Sequence, residues 1–382
     1  FCRLLLLDPS WGLLLVVVLA TLFIGAARSL SFLVVQTQQQ SPEVREANEL
    51  KIYMAVLLPV IGSAMLVVLF YFLDQLSVLL VGLFTLSAFV SVTYALSPLC
   101  AIIVRWTRLA PEYKVLWFWS ERFPTSSLMG MPVALALVVA WLFTRYWLLT
   151  DVLALCLGVT AMAFLRLPNL MIASVVLWLF FFYDIFWVFL SAQFFGKNVM
   201  VHVATSLPSL PIILIIPRMF LKGYSLLGMG DIILPGLYLA FLYRFDYSRH
   251  QWTSWAFTGY FRVGLISYAL GFVWTYVMLI LLQIAQPALL YLVPSIMVPT
   301  VVMALIKKEF MLLWRGSASP VTIGRAAEER ELEDLEAGTS KKSRSEVYEP
   351  VGAYPDSDEG RVSTAVKYTI DDESDDDAHH TQ

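Results

Sequence analysis

Two aspartates stand where hydrocarbon is expected. Asp184 lies in the run Phe180-Phe181-Phe182-Tyr183-Asp184-Ile185-Phe186-Trp187, and Asp231 in Leu227-Gly228-Met229-Gly230-Asp231-Ile232-Ile233-Leu234-Pro235-Gly236. Even on the mildest insertion scales an Asp at the centre of a membrane helix costs about 2.5–3.5 kcal/mol, so an acid there marks a function or a buried partner. One acid alone can be a structural hydrogen-bond partner; two on adjacent helices are harder to explain that way. Carboxyls a few ångströms apart do not both ionise cheaply, so they share a proton and titrate as a pair. The ionised member can take a proton from water while the protonated member polarises a carbonyl, and the roles reverse as the tetrahedral intermediate collapses. A low dielectric strengthens this coupling. The sequence leaves open which aspartate holds the proton.

Other routes to hydrolysis are missing. The chain has four histidines, two of them at positions 379 and 380, and neither a His-Glu-x-x-His zinc site nor a Gly-x-Ser-x-Gly nucleophile segment. Cys2, Cys100 and Cys156 are far apart, so no disulfide framework or Cys-based metal site is expected. Asp74, Asp151 and Arg145 fall at span ends, where water is close and a long side chain reaches the interface, and are read as structural.

The surroundings of the two acids add to the picture. Gly228 and Gly230 lack a Cβ, which would permit unusual dihedrals and close approach of another chain. Pro235 and Gly236 are poor helix-interior residues. Irregular backbone at membrane depth survives only where protein buries it or water lines it, so Asp231 is expected to face water inside the membrane. Further on, Gln286-Pro287-Ala288-Leu289 opens a segment that also contains Pro294 and Pro299. Prolines remove donors and leave carbonyls unpaired, which would offer an extended peptide a place to bond.

Helices must position these groups. The 382 residues are 59% hydrophobic, 14% charged and 14% aromatic, with a mean hydropathy of +0.73. A soluble domain carries about 25% charged residues, and long unbroken apolar runs exclude an outer-membrane barrel. The fold class is therefore an all-α polytopic membrane protein. Nine stretches approach the roughly 20 apolar residues that a spanning helix needs: Trp11 to Val34, Ile52 to Leu73, Leu76 to Leu96, Leu128 to Thr144, Leu148 to Leu165, Leu170 to Phe195, Leu226 to Leu242, Phe261 to Ala285 and Pro287 to Ile306. The second and third, parted by Asp74 and Gln75, should form a tight antiparallel pair. The first could instead be a cleaved signal, since Arg3 precedes it and small residues at 25–27 end it.

Residues 1–316 thus read as a nine-span domain, with its core at about 170–306. Residues 317–382 hold 17 of the 29 acidic residues and 7 of the 26 basic ones and read as a disordered acidic tail. Tyr348-Glu349-Pro350-Val351 in that tail resembles a tyrosine-based sorting signal. With the C-terminus cytoplasmic, thirteen loop Lys and Arg fall on the cytoplasmic side and five opposite, which puts the N-terminus in the lumen. Asn-x-Ser/Thr is absent, so no large glycosylated ectodomain is expected. No nucleic-acid partner is expected, and self-association is left open.

Tyr183-Asp184, Gly228-Met229-Gly230-Asp231 and Gln286-Pro287-Ala288-Leu289 come in the order, and on the spans, of the intramembrane aspartyl proteases that include presenilin and signal peptide peptidase. The resemblance covers about residues 11 to 315. Asp231-Ile232 with Pro235-Gly236, and the run from Gln286 to Pro294, resemble the signal peptide peptidase branch. The segment from Asn198 to Thr205 is similar to the signal peptide peptidase-like 3 group. The last residues carry no paired lysines, unlike the ER-resident members. The resemblance implies an aspartic endopeptidase with Asp184 and Asp231 as its catalytic pair, and a site shaped by Tyr183, Gly228, Gly230, Gln286, Pro287, Ala288 and Leu289. It implies no metal, no organic cofactor and no accessory subunit. Its substrates would be type II single-span helices in the bilayer of the Golgi, endosome, lysosome or ER, unwound locally before cleavage. The rival reading is a proton- or cation-coupled transporter or channel, which explains the acids and prolines but not the motif set, and which often shows an inverted repeat. A third is a relative without activity that escorts membrane helices.

Overall fold

The computed structural model describes residues 8–39, 51–107, 113–115, 122–196, 199, 210–218, 223–249, 259–282 and 286–316. The acidic tail, the sorting-like tetrapeptide, and all of the segment from 198 to 205 except Val199 lie outside the described residues. Among the described residues ten helices run in order: α1 Ser10–Gln39, α2 Ile52–Thr107, α3 Thr125–Thr144, α4 Trp147–Phe164, α5 Leu170–Ile185, α6 Ser191–Phe195, α7 Met229–Ser248, α8 Tyr260–Leu282, α9 Leu289–Ile306 and α10 Phe310–Arg315. A π-helical stretch, Phe186–Leu190, joins α5 to α6 into one rod. Two short antiparallel ladders interrupt the helices, β1 Tyr113–Val115 with β2 Arg122–Pro124, and β3 Ile213–Pro217 with β4 Tyr224–Gly228.

Among the described residues, eight helices are long and apolar enough to cross a membrane. Phe143, Val78 and Ile306 are 86%, 81% and 76% exposed, as side chains facing lipid would be. The expected pair around Asp74 and Gln75 is one helical run, α2, broken at Phe72 (φ −121°, ψ 26°) into spans Ile52–Leu73 and Gln75–Val104. Residues on both sides of the break, Phe70 and Phe84 among them, pack on one cluster around Leu80 and Trp187.

The seventh expected span needs correction. Residues 226–228 are strand, and the helix begins at Met229. Over 20 residues α7 is about 30 Å long at 1.5 Å per residue, enough to span, yet it carries Asp231, Arg244 and Asp246 and falls short on apolarity. Its surroundings explain why it need not be greasy. Every residue from Pro235 to Asp246 is buried, so its neighbours are protein rather than lipid. Gly236 shows how close that sheath comes: a Cβ there would lie 2.3 Å from Met162 Sδ on α4 and 3.0 Å from Leu22 on α1. Small residues let membrane helices approach in this way.

Polar groups of α7 are met by its neighbours. The Tyr238 hydroxyl lies 2.5 Å from Thr300 Oγ1 on α9. Arg244 donates to Ser29 on α1 and to the Leu167 carbonyl. Asp246 accepts the Tyr260 and Phe261 N–H groups at 3.0 and 2.8 Å, so it caps α8 from a different helix. Arg249 pairs with Glu309 at 2.7 Å, and Glu309 also accepts from the Tyr260 hydroxyl at 2.7 Å.

The β3–β4 hairpin is fixed to the bundle through Asp151. This buried α4 side chain accepts the Ile215 N–H at 2.8 Å, which agrees with its structural assignment. A bond to a charged acceptor contributes about 1.5–3 kcal/mol. Asp151→Ala is therefore expected to accelerate amide exchange across Ile213–Gly228 by about tenfold or more, whereas Asp151→Asn, which keeps an acceptor, should change it far less. Equal protection in Asp151→Ala and the unaltered chain would show that the tether does not hold the hairpin.

Candidate active site

Asp184 ends α5. That helix starts from Asn169, whose side chain accepts the Ile172 N–H at 2.8 Å. The backbone turns π-helical two residues after the acid, at Phe186. Single π turns widen the helix and recur at functional positions. The wider turn is held by Ser191 Oγ donating to the Trp187 carbonyl at 2.6 Å and by the Trp187 indole N–H donating to Ser63 Oγ at 3.3 Å.

Asp231 sits in the first turn of α7, where the positive end of the helix dipole favours an acid. β4 runs straight into this turn, with Gly228 as the residue before the helix. The Tyr268 hydroxyl on α8 donates to the Asp231 carbonyl oxygen at 3.3 Å. α5 packs against α7, which brings the Asp184 and Asp231 side chains near one another. A third element joins them. The Leu289 N–H, at the start of α9, donates to Asp184 Oδ2 at 3.1 Å, and Asp184 itself is only 6% exposed.

Asp231 borders a cavity of about 240 Å³, lined also by Ser225, Leu226, Leu227, Gly228, Phe272, Thr275, Tyr276, Leu279, Gln286, Ala288, Leu14 and Arg218. Of the sequence-derived set, Asp231, Gly228, Gln286 and Ala288 share this cavity, and Leu289 touches the pair through Asp184. Tyr183 points elsewhere. It lines a shallower groove of about 270 Å³ with Pro59, Ser63, Phe182 and Trp187, toward α2.

Of the two properties expected of the glycines, the unusual dihedral is not used. Gly228 has φ −67°, and Gly230 is not among the residues of positive φ, so neither is required for an unusual dihedral. Their value is space: a Cβ on Gly228 would lie 3.4 Å from Asp231 Oδ2, and one on Gly230 would point into open space. The carbonyls near Pro287 also differ from expectation. Pro287 O accepts from Leu290, and Ala288 O from Tyr291 and Leu292, so both are used by α9 itself. Gln286 is fixed by the Tyr291 hydroxyl, which donates to its Oε1 at 2.6 Å.

The backbone that can receive an extended peptide lies in β4. Met229 N–H donates to Ile212 O and Arg218 N–H to Gly223 O, both at 3.0 Å. That phase makes Leu214–Leu227 and Ile216–Ser225 the bonded pairs. Tyr224, Leu226 and Gly228 therefore turn their N–H and C=O groups away from β3. The same alternation sends the Ile215 N–H outward to Asp151. This hairpin was the feature sequence reasoning missed. Its signals were Ile213-Leu214-Ile215-Ile216-Pro217 and the Gly223 turn, lost in a chain that is apolar throughout.

The signal peptide peptidase family model matches residues 10–320. The chain belongs to the signal peptide peptidase family. It is 37% identical over 281 residues to signal peptide peptidase-like 3 of Oryza sativa subsp. japonica, covering 71% of this chain and 53% of that one. It is 34% identical over 289 residues to signal peptide peptidase-like 3 of Arabidopsis thaliana, covering 73% and 52%. The chain thus spans about half the length of these relatives. With signal peptide peptidase-like 1 of Oryza sativa subsp. japonica it is 30% identical over 363 residues, 82% of this chain and 94% of that one. The matched range takes in all three motifs, and the branch read from them is borne out.

The Leu289–Asp184 bond is open to a direct check. In this signal peptide peptidase family member, Asp184→Ala should speed exchange of the Leu289 amide by about tenfold or more, since a charged acceptor is lost. Asp184→Asn keeps an acceptor and should leave most of the protection. Identical Leu289 exchange in all three chains would remove the bond from the site.

Proposed function

We propose that the chain is an intramembrane aspartic endopeptidase that hydrolyses peptide bonds in type II single-span segments or signal peptides, with Asp184 and Asp231 as its catalytic dyad and water as the nucleophile. The observation that carries the reading is the meeting of two acids, from the end of α5 and the first turn of α7, beside a cavity. One acid in its ionised form takes the proton of a water, and the other, protonated, polarises the scissile carbonyl; the tetrahedral intermediate collapses with the roles reversed. The Leu289 N–H holds one Asp184 oxygen, leaving the other for substrate or water.

A helical peptide bond is shielded by its own hydrogen bonding, so the substrate unwinds before it is cut. The outward groups of Tyr224, Leu226 and Gly228 then receive the unwound stretch as an added strand, a common mode of peptide recognition. The loop charges support an N-terminus in the lumen and a C-terminus in the cytoplasm, and the family resemblance supports a membrane of the Golgi, endosome, lysosome or ER. In that orientation the hairpin lies on the lumenal side of the dyad, where a type II substrate leads with its C-terminal part.

The test is reconstitution in lipid vesicles with a type II single-span reporter. Asp184→Ala and Asp231→Ala should each lower cleavage by about a thousandfold while helical content persists, in the range measured for loss of acid–base groups. Cleavage that survives in both, or solute flux without cleavage, would overturn the reading. Because the dyad works only with one proton between its two members, the rate should fall on both sides of a pH optimum. A rate that rises to a plateau with a single limb would mean that only one group titrates in the mechanism.

A further inference from the structure

Arg218 lines the cavity that Asp231 borders. It follows β3 directly, and its N–H closes the hairpin turn on the Gly223 carbonyl. The register puts it on the sheet face of Leu214, Ile216, Ser225 and Leu227, all buried, so the guanidinium enters protein. Its Nε is buried and has no hydrogen-bond partner. A buried donor left that way is destabilising, and an incoming acceptor would relieve it. Nearby, Asp8 accepts the Ser10 N–H at 3.0 Å, and the Tyr276 ring stacks on Trp11 at 5.5 Å.

A guanidinium is always charged, and its planar fork matches a carboxylate. We propose that Arg218 is a specificity-determining residue that binds an acidic side chain of the substrate, on the stretch C-terminal to the cut bond. The inference rests on the protease reading above. The direction follows from the hairpin. β4 runs from its turn toward Asp231, so a substrate stretch leaving the dyad along β4 runs antiparallel to it, from Gly228 toward Tyr224. Arg218 lies five residues along β3 from Ile213, the partner of Gly228, which is about 17 Å of strand at 3.4 Å per residue. Allowing for the reach of the side chain back into the cavity, the acid it binds stands about three to six positions past the cut.

The test uses the full chain in phosphatidylcholine vesicles and a set of type II reporters. These differ only in carrying Glu, Ala or Lys at the third to sixth positions C-terminal to a cut bond located by mass spectrometry. At one of these positions Glu should raise kcat/KM over Ala by about tenfold, the worth of one charge-assisted contact. In Arg218→Ala that ratio should collapse to about one. In Arg218→Glu the preference should invert in favour of Lys, a gain that a misfolded chain does not yield. A Glu-to-Ala ratio near one throughout in the unaltered chain, or a ratio that survives in Arg218→Ala, overturns the proposal. So does an Arg218-dependent rise for all reporters alike when anionic lipid is added, because the guanidinium then binds lipid phosphate. If the unaltered chain cleaves no reporter, the protease reading falls and this inference falls with it.

Discussion

Charge and irregular backbone survive at membrane depth only inside a sheath of protein. In this chain the sheath is built around α7. From Pro235 to Asp246 that helix meets only protein, and its tyrosine, arginine and aspartate each find a partner on another element. Lipid contact is delegated to helices such as α2 and α3, whose outward side chains are apolar. A helix screened in this way can carry three charged residues and still lie at the depth of the others.

The same screening lets helices begin and end inside the bundle. A spanning helix exposed to lipid gains nothing from an interior terminus, because each unpaired backbone group there costs several kcal/mol. Here α9 starts beside Asp184 and α7 starts just before Asp231, and the Met229 N–H at the start of α7 goes to the Ile212 carbonyl. The Leu289 N–H goes to the carboxylate of Asp184, and the first turn of α7 holds Asp231. The π-helical turn after Asp184 is the third irregularity at this level. Three departures from regular helix converge on two acids, which is the arrangement expected of a site held by its surroundings rather than by local helix preference.

Much of this was legible in the sequence because membrane energetics are severe. Asp184 and Asp231 stood out against apolar runs, and Gln286-Pro287-Ala288-Leu289 marked a helix start. Eight of the nine spans followed from length and hydropathy alone. The seventh was misplaced by three residues because strand and helix look alike in continuous apolar sequence: Leu226 and Leu227 suit either, and periodicity does not separate them. Gly228 and Gly230 were read both for unusual dihedrals and for close approach; their backbone is ordinary, and at Gly228 the absent side chain leaves room for the Asp231 carboxyl. The carbonyls of Pro287 and Ala288 looked free in sequence because the turn that uses them is formed by the next residues of α9. Arg218 carried no sequence signal at all, since only the fold brings it to the cavity of Asp231.

In the proposed reaction the hairpin and the cavity would answer two different demands. An unwound peptide leaves its own N–H and C=O groups unpaired, and at membrane depth each would cost several kcal/mol. β4 offers outward groups at alternate residues over the stretch from Tyr224 to Gly228, so it can compensate a strand of about five residues and no more. The bond under attack must be excluded from that pairing, because a carbonyl held in a ladder cannot also accept from a protonated acid and admit water. β4 ends at Gly228, three residues before Asp231. The cavity runs alongside β4 from Ser225 to Asp231, so on the proposed reading an added strand would leave its pairing at Gly228 and reach the two carboxyls unpaired.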